Sequence, residues 1–153
     1  MNKNRSAFSM IELIFVIVVL GILVGIALPK FTATRTDAVI VKGRSDVASV
    51  RTAISTERQK RFMKGDSSYI NHLDHQAATP GAGVVIFDNN GTASSTLLTY
   101  GITTKNSDGG WMKTAADTYT YNVSGVTNTF TYDSATGKFD CTGGEAYCAK
   151  LTK

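Results

Sequence analysis

Four groups of residues in this 153-residue chain are of types and spacings that do chemistry. Cys141 and Cys148 close the stretch CTGGEAYC near the C-terminus. In an exported domain two such cysteines read as a disulfide, and in cytosol they would stay reduced. His72-Leu-Asp-His75 places two imidazoles three apart, a spacing that suits a metal on one side of a turn. No further Cys or His stands near it, so it is expected to be a surface loop. Asp88-Asn89-Asn90-Gly91 resembles the opening of a calcium loop, but the Glu that would complete an EF-hand is missing, and a turn is expected. The fourth group is one carboxylate, Glu12, inside the apolar run Phe8–Phe31.

That last residue is the informative one. A bilayer-spanning helix needs about 20 apolar residues, so Phe8–Phe31 is long enough to span. A charge within such a helix costs roughly 2.5–3.5 kcal/mol on insertion scales, less near an end. A single Val at position 12 would avoid that cost, so Glu12 calls for a partner. Only MNKNRSA precedes the run, with Lys3 and Arg5 as its charges, and a basic leader is retained on the cytoplasmic side. The bare alternatives are a plain anchor with an incidental Glu, or a secretory signal peptide. The run is long for a signal peptide, and no clear small-x-small site succeeds it.

Composition bounds the rest. Aromatic residues make up 9% and charged residues 18%, which is not a disordered polar chain. The length suits one compact domain beside the apolar segment. The net charge of +4 includes Lys3 and Arg5, so the chain beyond the leader carries half of it, too little to argue for nucleic acid. There is no nucleophile elbow, P-loop or zincin motif, so neither an enzyme nor a cofactor is expected.

The elements that position these residues emerge from periodicity. After Pro29, Ile40, Val47 and Ile54 recur at seven with Gly43 and Val50 between them, one apolar stripe at helical spacing. Lys42, Arg44, Asp46, Arg51, Glu57 and Arg58 lie off the stripe and are expected on wetter faces. The spacing predicts one helix from about Phe8 to about Lys64, with a bend or loosening around Gly25–Pro29 because Pro lacks an N–H. Gly21 and Gly25 form a G-x-x-x-G pair that permits close helix approach.

Turn signals then break the pattern at Pro80-Gly81, Asp88–Gly91 and Ser107–Gly110. Val84–Phe87 and Leu97–Ile102 between them are short strands or loop packing. The clearest strand signal is Tyr119–Val123, a turn at Ser124-Gly125, and Val126–Tyr132. A two-residue hairpin opposes Val123 to Val126 and Tyr119 to Phe130. One face then holds Tyr119, Tyr121, Val123, Val126, Phe130 and Tyr132. The other holds Thr118, Thr120, Asn122, Thr127, Thr129 and Thr131. One packed and one wet face mean an antiparallel sheet that needs a cover, and the helix supplies it. A third strand, Lys138–Cys141, comes after the turn Asp133–Gly137.

The N-terminus resembles that of the type IV pilin superfamily, which includes the pseudopilins of type II secretion. The resemblance is tight over Met1–Phe31 and extends beyond only in layout. It implies an α+β pilin-like fold with three parts: a leader over 1–7, a membrane and filament-core helix half over 8–31, and a periplasmic or extracellular globular domain over 32–153. It implies cleavage between Ala7 and Phe8 by a prepilin peptidase that also N-methylates Phe8. The family usually has Gly before the cut, where this chain has Ala7. Glu12 is then the fifth mature residue, and Gly21 and Pro29 fall where the family commonly has Gly and Pro. The new amine of Phe8 in one subunit could pair with Glu12 of its neighbour, setting register, because either charge alone in apolar surroundings is costly.

The resemblance further implies a structural subunit in the bacterial inner membrane, with its C-terminal domain in the periplasm. Such a subunit is assembled into a homo-oligomeric filament with other pilins or pseudopilins on an inner-membrane platform. The service is type II protein secretion or competence, or alternatively a type IV pilus, with secreted protein or DNA as cargo. Pilins commonly have a C-terminal disulfide loop, which implies a Cys141–Cys148 bond. Major pseudopilins often lack it and use a calcium loop.

Overall fold

The computed structural model describes residues 9–74, 81–88 and 97–153, and for residues 28–33 the backbone alone. It divides into two compact units, Met1–Thr36 and Asp37–Lys153. The elements in chain order are α1 (Met10–Met63), β1 (Val85–Ile86), β2 (Ile102–Thr103), β3 (Trp111–Ala115), β4 (Thr118–Val123), β5 (Val126–Asp133), β6 (Lys138–Cys141) and α2 (Cys148–Leu151). The fold is α+β: an apolar N-terminal helix, then antiparallel sheets, then a C-terminal disulfide.

α1 runs unbroken through Gly25 and Pro29, and its end is chemically marked. Gly65 takes φ +86°. Its N–H donates to the carbonyl of Phe62 and that of Asp66 to the carbonyl of Arg61. This pair of bonds is the Schellman stop, which satisfies carbonyls that have run out of helix.

In the second unit the stripe along α1 is the packed one. Ile40, Gly43, Val47, Val50 and Ile54 are all buried. They meet a four-stranded sheet in the order β3-β4-β5-β6, every pair antiparallel. The β4–β5 register opposes Val123 to Val126 and Tyr119 to Phe130. Ser124 and Gly125 both take positive φ, +50° and +78°, as a type I′ turn requires. The sheet has one strand more than the sequence suggests. β3 carries only Trp111 and Lys113 as buried positions and contains a bulge between Lys113 and Ala115, so its alternation is too short to read. β1 and β2 form a separate two-stranded ribbon, opposing Val85 to Thr103 and Ile86 to Ile102.

The core is aromatic. Phe87, Trp111, Tyr119, Tyr121, Phe130 and Phe139 are fully or almost fully buried. Trp111 is its hub, with ring centroids 5.6 Å from Phe87, 4.9 Å from Tyr121 and 5.1 Å from Phe130. Its indole N–H donates to Asp46 Oδ2 at 2.9 Å, so this large ring is buried without an unpaired donor.

Gly43 is where α1 approaches the sheet most closely. A Cβ there would overlap the Tyr121 ring and the Leu151 side chain. The Tyr121 hydroxyl passes the same spot to donate to Val39 O at 2.8 Å. Gly43→Val is therefore expected to lower unfolding free energy by about 1–3 kcal/mol through overpacking. Urea unfolding measured by the fluorescence of Trp111 reads the change, and an unchanged midpoint would mean that α1 and the sheet part without cost.

Three expectations are overturned. Thr120, expected on the wet face of the hairpin, is buried. Glu57 is not on a wet face: it is buried, with its carboxylate 3.6 Å from Lys60 Nζ and 3.8 Å from Arg61 Nε. The start of the 72–75 segment is not a surface loop, because Leu73 and Asp74 are buried beneath the sheet's packed face. That face also includes a residue its polarity would not suggest, Asn128, opposite Tyr121 and fully buried. Alternation along β5 puts it there between Val126 and Phe130. Its polarity is tolerated because its amide donates to the carbonyls of Tyr121 and Val126 at 3.2 Å each.

Candidate functional site

In the first unit every described residue from Ser9 to Ile26 is exposed, although almost all are apolar. The stretch Met10–Ala27 is long and apolar enough to cross a membrane, and none of it is buried within the chain. Leaving this much apolar surface in water is unfavourable, so lipid or other protein must cover it.

Glu12 is held at the start of this helix by a reciprocal pair of bonds. Its backbone N–H donates to Ser9 Oγ at 3.3 Å, and its Oε2 accepts from Ser9 N at 3.3 Å and from Ser9 Oγ at 3.2 Å. This is a capping box, in which the Ser and the Glu three residues later each satisfy a helix-end donor. The helix dipole favours a carboxylate in this first turn. The signal was present in the sequence as Ser9-Met-Ile-Glu12. It gives Glu12 a partner within its own chain, whatever a neighbouring subunit adds.

Gly21 and Gly25 lie on the open surface of α1, where an added Cβ would meet nothing within 4 Å. The structure thus gives them no role within the chain. Ala7 and Phe8, the expected cut, lie outside the described residues, as does the side chain of Pro29.

At the other end of the chain Cys141 and Cys148 are bonded to each other. The bond ties the last residue of β6 to the first of α2. Tyr147 folds back on the sheet, its N–H donating to Asn128 Oδ1 at 3.3 Å. Two arginines of α1 hold the tail further on. Arg44 donates twice to Lys150 O, at 3.0 and 2.8 Å. Arg51 donates to Phe139 O, to Thr152 O and to Asp140 Oδ1 at 3.0, 3.1 and 2.8 Å. Both use the planar guanidinium fork: Arg44 takes a carbonyl at the open end of α2, and Arg51 links the Thr152 carbonyl to the Phe139 carbonyl and Asp140 carboxylate of β6.

Replacing both cysteines by Ser is expected to lower stability by about 2–3 kcal/mol, the loop entropy that a short bridge removes from the unfolded chain. Urea unfolding, or limited proteolysis of membrane-extracted protein, reads the loss. Membrane insertion should be unchanged, because the bridge lies in the second unit, and failed insertion would contradict this.

His72 does not pair with another imidazole among the described residues. Its Nδ1 is 2.9 Å from Asp117 Oδ2, at the β3–β4 turn where Asp117 takes φ +57°. His75 lies outside the described residues, as do Asn89–Gly91.

A membrane-capable helix with a capped Glu at its head, leading into an α+β domain closed by a disulfide, defines an anchored precursor. Residues 2–28 match the model of the prokaryotic N-terminal methylation motif. The chain thereby carries the signature of type IV pilins and pseudopilins. The motif supports a type IV pilin-like or pseudopilin precursor, and it implies processing by a prepilin peptidase and assembly into pilus-like filaments. The match ends at residue 28, and the α+β domain lies beyond it. No curated protein and no solved structure matches the chain.

Proposed function

We propose that this protein is a structural subunit of a pilus-like filament. It enters the inner membrane as a prepilin, is cut between Ala7 and Phe8, and is N-methylated on Phe8. It then assembles, through Met10–Ala27, with its own kind and with other pilins or pseudopilins. The observation that carries this reading is the exposed apolar helix headed by Glu12, inside the methylation motif. In the assembled state the Phe8 amine of one subunit meets the Glu12 of the next, with Gly21 and Gly25 allowing close approach and Pro29 loosening the helix.

The service proposed is type II protein secretion or competence, with the globular domain in the periplasm. A type IV pilus subunit is the second reading, favoured by the Cys141–Cys148 loop that such pilins commonly have.

Intact-mass measurement of protein extracted from its native membrane tests the processing. The expected species begins at Phe8 and carries one methyl group. A mature N-terminus at any other residue overturns the reading.

A further inference from the structure

Lys113 on β3 and Asp74 make a contact in the core whose chemistry goes beyond an ion pair. Lys113 Nζ lies 2.6 Å from Asp74 Oδ1, and both side chains are buried. Tyr119 stands opposite Lys113 across the β3–β4 pair and packs on Phe87 and Phe139, so the surroundings are aromatic. The Tyr119 hydroxyl donates to the other oxygen of the same carboxylate, Asp74 Oδ2, at 3.0 Å. Two more carboxylates, Asp117 and Asp88, are near enough to act on that hydroxyl. Each keeps one buried oxygen, Oδ1, that accepts no hydrogen bond among the described residues. A buried acceptor without a donor is rare and calls for an explanation.

In water an ammonium and a carboxylate do not condense, because both charges are solvated and the carboxylate is no electrophile. Burial changes both conditions. Desolvation disfavours the charged forms, so a proton passing from Nζ to Oδ1 gives an amine and a carboxylic acid already in contact. Reactants held in contact reach effective concentrations of about 10⁵–10⁸ M when well oriented. Burial, with the neighbouring carboxylates, keeps the Tyr119 phenol protonated, and its O–H is aimed at the oxygen that gains charge as the carbon becomes tetrahedral. We propose that Lys113 and Asp74 condense into an intramolecular amide, with Tyr119 as donor to the developing oxyanion and Asp117 as proton relay.

The step needs no co-reactant. Nζ gives one proton to Asp74 Oδ1 and attacks Cγ, forming the C–N bond while negative charge moves to Oδ2. Asp117 takes a second proton from Nζ and passes it to Asp74 Oδ1. That oxygen leaves as water with both protons, the C–O bond breaks, and the carbonyl re-forms at Oδ2. Nothing is oxidised or reduced. The structure has the pair before this step, with both charges present, and in that state the loss of Asp74 strands an ammonium. After it, two residues 39 positions apart are covalently joined, and β3, the edge strand of the sheet, is tied to the segment that succeeds α1.

The test uses the full chain extracted from its membrane, denatured, reduced and digested with trypsin, with the peptides read by mass spectrometry. The expected product is a branched peptide that contains Lys113 and Asp74, lighter by one water than its two arms, with no cleavage after Lys113. This readout does not depend on where the N-terminus is cut. Lys113→Met should abolish the branched peptide, and its persistence would place the bond on another lysine and overturn the site. Asp117→Asn keeps the size of the side chain, suits its positive φ, and removes the proton acceptor. A positioned acid or base contributes about 10²–10⁴-fold, so bridging should slow by about tenfold or more in this variant. Unchanged near-ultraviolet circular dichroism shows that the variant folds. Equal bridging in Asp117→Asn overturns the relay. Complete cleavage after Lys113 in wild-type protein, with both arms at full mass, overturns the amide.

Discussion

Asp74→Ala is expected to be among the most damaging single changes in the second unit, costing about 3–5 kcal/mol of stability. Asp74 is only 1% exposed and Lys113 only 5%. Lys113 Nζ lies 2.6 Å from Asp74 Oδ1, and the Tyr119 hydroxyl donates to Asp74 Oδ2 at 3.0 Å. One carboxylate thus satisfies an ammonium and a phenol, neither of which has water to turn to. Burial, reinforced by the Asp74 carboxylate, holds the Tyr119 phenol well above its ordinary pKa, so it stays a neutral donor. Removing Asp74 leaves a buried charge unpaired, which is far worse than never having had the pair. The companion experiment exploits that asymmetry. Asp74→Leu with Lys113→Met and Tyr119→Phe removes all three polar ends together and should recover most of the loss. Urea unfolding by Trp111 fluorescence gives both numbers. A cost below about 1 kcal/mol for Asp74→Ala would show that the pair is solvated.

Trp111→Ala should cost a similar amount, about 3–5 kcal/mol, by a different mechanism. The ring is fully buried and touches Phe87, Tyr121, Phe130 and Phe139. No small movement of β3 can fill the space it leaves, because β3 is pinned to β4 on one side and bridged to Gly81 on the other. Asp46 also loses the indole N–H, keeping Lys42 Nζ at 3.2 Å. Trp111→Phe should lose less, since it keeps the ring contacts and gives up only the donor and part of the volume. Near-ultraviolet circular dichroism and protease resistance serve as readouts, because the variant removes the only tryptophan. Equal losses for Phe and Ala would shift the weight from packing to the Asp46 bond.

These two positions also mark the limit of what neighbours in the chain can specify. The features that the sequence determined by itself are local. The apolar run and the stripe Ile40–Ile54 specify one helix, since 3.6 residues per turn links positions near in the chain. Ser9 and Glu12 sit three apart and cap it. Ser124-Gly125 sets the hairpin register, because the turn and the strands it joins are contiguous. The methylation motif lies wholly within residues 2–28 for the same reason. The features that only the tertiary structure decided depend on residues far apart. Lys113 meets Asp74 across 39 positions, and Arg44 and Arg51 reach the tail carbonyls across 106 and 101. A lone Lys, Asp or Arg in sequence has the same composition whether it is solvated or buried. Only the packing of the sheet on α1 excludes water and makes the partner obligatory. The burial of Glu57, Leu73, Asp74 and Asn128 was hidden on that account.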